Sequence, residues 1–153
     1  MKITDILTPE MVVAALSGQT KPEVLRELAN TLCATVGEVP LDKLVAVLSE
    51  RERMGSTAIG DGIAILHGKL QGLKRIIGIF GRSQAGVDFE SLDGKPTQLF
   101  FVLVAPEDSA SLHLKALARV SRLFKDESFR GRLLKAADAA EIYRLIKEED
   151  ARY

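Results

Sequence analysis

Apolar residues recur along this chain at two different spacings, and the changes of spacing divide it into elements. After a turn at Thr8-Pro9-Glu10, an apolar run over residues 11–16 ends at Ser17-Gly18 and predicts a short strand. Thr20-Lys21-Pro22-Glu23 then combines a capping hydroxyl, an early proline and a glutamate three residues on, which is a helix start. Val24, Leu25, Leu28, Leu32, Cys33 and Val36 follow at helical spacing until Gly37 stops the helix. A second amphipathic helix is predicted over residues 40–53, with Leu41, Leu44, Val45 and Leu48 on its apolar face.

From Gly55 to Gly62 the chain reads as a glycine-punctuated loop, and residues 63–66 as a four-residue apolar strand that ends at His67. Residues 75–80 predict another strand. The unbroken apolar run 99–105 predicts a central strand covered on both faces. Leu92-Asp93-Gly94-Lys95-Pro96 between them is a turn. The last third is helical over residues 109–124, 127–136 and 139–148, each with an Asp or Ser near its start. Strands and helices alternate without linker or repeat. The expected architecture is one α/β domain over residues 1–153, a mixed central sheet with helices on both faces.

Composition narrows the function. Lys and Arg number 21 and Asp and Glu 21, so there is no net field to draw in nucleic acid or an anionic membrane. Arg130, Arg132 and Lys135 have acids on either side, lack interleaved aromatics and read as a solvated face. The one cysteine, Cys33, lies on a helical apolar stripe and reads as packing. No stretch approaches a membrane span and the first residues lack a signal-peptide run, so the expected compartment is the cytoplasm, with no membrane insertion.

His67 is the focus of the candidate chemistry. Open α/β sheets collect ligands at the carboxyl ends of strands, where His67 is expected, and a neutral imidazole there can act as base, metal ligand or phosphoryl acceptor. Its residue type and place alone leave these roles, and a purely structural one, open. Gly60, Gly62 and Gly68 permit close backbone approach beside it. The spacing from Gly62 to Gly68 is one residue too long for a nucleotide-binding P-loop, and Leu70 stands where Ser or Thr should hold magnesium. His113 is expected in the first turn of a helix, whose N-terminus attracts phosphate. Arg51 lies within the charged run Ser49-Glu50-Arg51-Glu52-Arg53 and is expected at an exposed helix end. Two histidines and one helical cysteine, without His-x-x-x-His or Cys-x-x-Cys spacing, give no reason to expect a metal, and no cofactor motif is present.

Taken together, the stretch from Leu48 through Gly55-Ser-Thr-Ala-Ile-Gly-Asp-Gly-Ile-Ala-Ile-Leu-His-Gly-Lys69 and the later Ser111-Leu-His-Leu-Lys115 resemble the EIIA domain of the fructose/mannitol class of the bacterial phosphoenolpyruvate-dependent phosphotransferase system, and within it the nitrogen-regulatory branch. The likeness spans nearly the whole chain. It implies that His67 receives a phosphoryl group from an HPr-type (NPr) phosphocarrier protein, with Arg51 and His113 as its companions in the site. It implies regulatory targets such as potassium transport or sensor-kinase proteins. A sugar-specific relative would instead pass the phosphate to an EIIB cysteine on another chain, and a module that had lost phosphorylation would only bind. Two positions depart from the family. Leu66 stands where proline usually precedes the active histidine, which is expected to loosen its orientation. Asp61 stands where asparagine is common, which is expected to bring negative charge near the phosphate.

Overall fold

Local signals set the helices. In the computed structural model, which describes residues 1–153, α1 (Lys21–Thr35) starts on the expected capping box: Thr20 accepts from the Glu23 N–H, and the Glu23 carboxylate accepts from the Thr20 N–H. Helix α2 is Leu41–Arg53 and α3 is Ala110–Phe124. Asp126 and Asp138 cap α4 (Glu127–Lys135) and α5 (Ala139–Asp150), accepting from Phe129 N at 3.1 Å and Glu141 N at 2.9 Å.

Five strands form one sheet, β1 (Val12–Val13), β2 (Ala58–Gly60), β3 (Ile63–Leu70), β4 (Ile77–Val87) and β5 (Thr97–Pro106), in the spatial order β1-β4-β5-β3-β2. The sheet is mixed, as expected: β1 with β4 and β3 with β5 are parallel, β4 with β5 and β2 with β3 antiparallel. Strand β5, the apolar run, lies at the centre and is buried nearly throughout. Alternation along the strands sends side chains to two helical layers. On one face Gly81 meets Leu28 of α1 and Gly68 meets Val47 of α2. On the other, Phe80 and Phe101 pack against Phe124 of α3, with α4 and α5 beyond.

The strands differ in several places from those the pattern predicts; β4 starts at Ile77, not at residue 75, and β5 extends the predicted run 99–105 to Thr97–Pro106. Only Val12–Val13 of the first run pairs, because Pro9–Met11 is a turn of 3-10 helix, although Leu16 N still donates to Arg82 O at 2.9 Å. The glycine-rich loop contains β2, whose hairpin with β3 turns through Gly60, Asp61 and Gly62, all at positive φ. Strand β4 runs seven residues beyond Phe80. Its polar continuation is held by β5 and by Arg82, whose buried guanidinium donates to Ala14 O (2.9 Å), Leu133 O (2.9 Å) and Ala136 O (2.7 Å). Finally, β3 does not end at His67 but continues through Leu70, because the ladder with β5 continues past the apolar run.

Gly68 sets how closely α2 approaches β3. A Cβ there would lie 2.5 Å from Val47 Cγ1, so Gly68→Ala must displace the Val47 side chain or part the two layers. We expect this variant to lose about 1–3 kcal/mol of stability, read as a lower urea midpoint at unchanged slope.

Candidate functional site

His67 lies in the second half of β3, opposite Leu103 of β5, and faces the α3 layer. Its Nδ1 is 3.4 Å from Ile65 O, and its Nε2 is 3.2 Å from the Arg51 Nε, which can only donate. That network assigns the neutral ring: Nδ1–H points to the Ile65 carbonyl, and the lone pair sits on Nε2. Burial pushes the His67 pKa below its ordinary value. The Ile65 hydrogen bond works against this, Arg51 adds to it, and Glu52 pulls the other way.

Arg51 comes from the opposite layer. It sits in the last turn of α2, and β2 pairs with β3 only as far as Ala64, which leaves the outer edge of β3 beside His67 uncovered by a strand. The guanidinium reaches His67 past that edge, while its Nη1 donates to Gly55 O at 2.9 Å in the following loop. Arg51 is therefore half-buried rather than exposed, because two acceptors draw it inward.

His113 stands one turn into α3, buried, with its ring 5.6 Å from that of His67 and nearly perpendicular to it. Its Nδ1 is buried without a partner, so its hydrogen-bonding capacity is incompletely used. Burial, then the neighbouring His67 and Lys69, hold its pKa below the ordinary value. The structure thus brings together the three residues singled out from the sequence, from α2, β3 and α3. A ring nitrogen bearing a lone pair, a fixed cation beside it and a second imidazole form an arrangement suited to accepting an electrophilic, anionic group such as a phosphoryl.

The two departures take on different meanings here. Leu66 lies inside the β3 ladder, opposite Val102 and only 1% exposed, so pairing and packing orient the next residue without proline's ring. Asp61 is not near His67. Four residues of extended strand, about 13 Å, separate even Ile63 from His67, which exceeds the screening length of about 8 Å at physiological salt. The Asp61 backbone instead explains its residue type, since φ is 59° and Asp and Asn tolerate that region better than other side chains. Sequence reasoning did not find Glu52 and Lys21, which pair behind Arg51 at 2.9 Å. The only sequence signal for Glu52 was its place next to Arg51.

The depressed histidine pKa values carry a pH dependence. Below about pH 6.5, where an unfolded histidine protonates, the unfolded chain binds protons that the folded one refuses. The stability contribution is therefore complete above that pH and is lost as pH falls through the lower folded values. We expect the urea midpoint to fall between pH 7.5 and 5.5, and the His67 ring, followed by ¹⁵N NMR, to be less protonated at pH 6.5 than in the unfolded chain.

A half-buried histidine on a mixed α/β sheet is thus flanked by an arginine and a second histidine. Residues 5–149 match the family model described as the phosphoenolpyruvate-dependent sugar phosphotransferase system, EIIA 2, and the chain belongs to that family. It is 42% identical over 146 residues to the nitrogen regulatory protein of Bradyrhizobium diazoefficiens, covering 95% of each chain. The crystal structure of the nitrogen regulatory protein IIA-Ntr from Neisseria meningitidis superposes with a TM-score of 0.87 at 30% identity, over 94% of this chain and 98% of that one. A fructose-specific EIIABC component of Bacillus subtilis is 36% identical over 150 residues, which is 98% of this chain but 24% of that protein. The nitrogen-regulatory resemblance is thus shared by sequence and fold.

Proposed function

We propose that this protein is a cytoplasmic histidine phosphocarrier that accepts a phosphoryl group from an HPr-type (NPr) carrier on His67 and acts mainly as a nitrogen-linked regulator. The observation that carries this reading is the assigned lone pair on His67 Nε2, beside the Arg51 guanidinium and the His113 ring. In the transfer, the P–N bond to the carrier's histidine breaks as the bond to Nε2 forms. The Nδ1 proton stays in place, and the Ile65 carbonyl takes up part of the positive charge that develops on the ring. Arg51 then exchanges its hydrogen bond to Nε2 for phosphoryl oxygens, and His113 offers a second donor. Such transfer depends chiefly on positioning and charge stabilisation. In this reading the phosphorylation state selects the regulatory target, with potassium-transport and sensor-kinase proteins as candidates.

Incubation with phosphoenolpyruvate, enzyme I and an HPr-type carrier tests it. Mass spectrometry should find an acid-labile, alkali-stable phosphate on His67, absent from His67→Ala. An unlabelled wild type would leave only a binding module. The fructose-specific relative favours one second reading, a sugar-specific EIIA that passes phosphate to an EIIB cysteine. Loss of the His67 phosphate to an EIIB domain, with label gained on its cysteine, would select that reading.

A further inference from the structure

Behind Arg51 lies a set of polar contacts that the phosphoryl reading does not use. The Glu52 side chain is 6% exposed, and its Oε1 is 2.9 Å from Lys21 Nζ at the start of α1. The same Oε1 accepts from Thr57 N at 3.2 Å, and Oε2 accepts from Thr57 Oγ1 at 2.5 Å. Lys21 is itself fixed, by Glu90 at 3.0 Å and by the Phe89 ring, whose centroid is 4.8 Å away. Glu52 therefore closes both ends of the loop between α2 and β2, since it belongs to one end and binds Thr57 at the other. Within that loop lies Gly55, whose carbonyl accepts from Arg51 Nη1. Thr57 in turn takes Ile65 N on its own carbonyl, at 3.4 Å, and Ile65 O faces His67 Nδ1. Both hydrogen bonds that orient the reacting imidazole thus trace back to the loop that Glu52 holds.

A strut built for stability alone would gain little from a buried ion pair, whose desolvation offsets most of its attraction. Placement explains it better. We propose that Glu52, braced by Lys21, is a positioning residue: it fixes the loop so that the Gly55 carbonyl turns the Arg51 guanidinium with its Nε toward His67 Nε2. This rests on the phosphocarrier reading for its effect on rate, but its geometric half can be read in the unphosphorylated protein.

Glu52→Ala, Arg51→Ala and the double variant are compared in phosphorylation by an HPr-type carrier and in the ¹⁵N shift of His67 Nε2. Glu52→Ala should slow phosphorylation at least tenfold at saturating carrier with little change in KM. It should also move the Nε2 resonance toward its position in Arg51→Ala. The double variant should be no slower than Arg51→Ala alone, because the two residues act through one contact. Thr57→Val, which removes only the hydroxyl, should show a smaller shift of the same sign, and serves should Glu52→Ala fail to fold. Independent, multiplying losses of rate, or an Nε2 resonance unmoved in both Glu52→Ala and Thr57→Val, would overturn the positioning role. A wild type that takes no phosphate, with the resonance moving as described, overturns the phosphocarrier reading and leaves the geometry standing.

Discussion

Arg51→Ala should slow phosphorylation of His67 by about 10²-fold while leaving the melting temperature within a few degrees of wild type. The size follows from what Arg51 does in the proposed transfer. Its guanidinium is a permanent cation aimed at Nε2, where the negative oxygens of the phosphoryl arrive, and removal of one such preorganised donor typically costs two to three orders of magnitude. The small effect on folding follows from its partners. Arg51 lies at the end of α2, outside the apolar core, and gives up only Gly55 O and His67 Nε2. Arg51→Lys should recover little of the rate, because one ammonium cannot hold the Gly55 carbonyl and a phosphoryl oxygen in the forked geometry that guanidinium provides. Stopped-flow or quench-flow transfer from the phosphorylated carrier measures this, and a rate within twofold of wild type removes Arg51 from the site.

The second large effect falls on stability, not rate. Arg82 is 4% exposed and has no carboxylate partner; its charge is held by three main-chain carbonyls, two of them at the end of α4. This ties β4 to the α4 layer and, through Ala14, to the segment after β1. Arg82→Ala leaves those acceptors buried without donors and opens a cavity, which we expect to cost about 3 kcal/mol. For a chain of this size that corresponds to a fall of roughly 6–12 °C in Tm. Differential scanning calorimetry checks it. Phosphorylation at 20 °C should survive, since Arg82 touches neither His67 nor its neighbours, and an unchanged Tm would show that the three carbonyls find other donors.

Arg82 also shows what the sequence could and could not convey. Helix starts were legible because their partners are close in sequence: Thr20 with Glu23, Asp126 with Phe129, Asp138 with Glu141. Strand β5 was legible because burial on both faces writes an unbroken apolar run. The continuation of β4 was not, since Gly81-Arg82-Ser83-Gln84 breaks the apolar run, and carbonyls some fifty residues away supply the acceptors that allow a charged residue inside. Strand β2 escaped for a similar reason. Its hairpin turn is held by Asp93, whose carboxylate accepts from Asp61 N at 3.2 Å.

For the site, residue type and spacing singled out His67 but left its chemistry open, and the family resemblance added Arg51 and His113. Their meeting depends on tertiary geometry, an arginine reaching past an uncovered strand edge to a ring on the far layer. The pattern of apolar positions carries no trace of that path. The same holds for Glu52, whose partners Lys21 and Thr57 lie on either side of α2 in sequence and meet only when α1 packs beside it.

The proposed transfer places the phosphoryl group on one nitrogen, His67 Nε2. The phosphorylated protein, prepared with ¹⁵N-labelled histidine, should show one-bond ³¹P–¹⁵N coupling at Nε2 of His67, with Nδ1 still protonated beside the Ile65 carbonyl. Coupling at Nδ1 of His67, or phosphate carried by His113, would contradict the site described here.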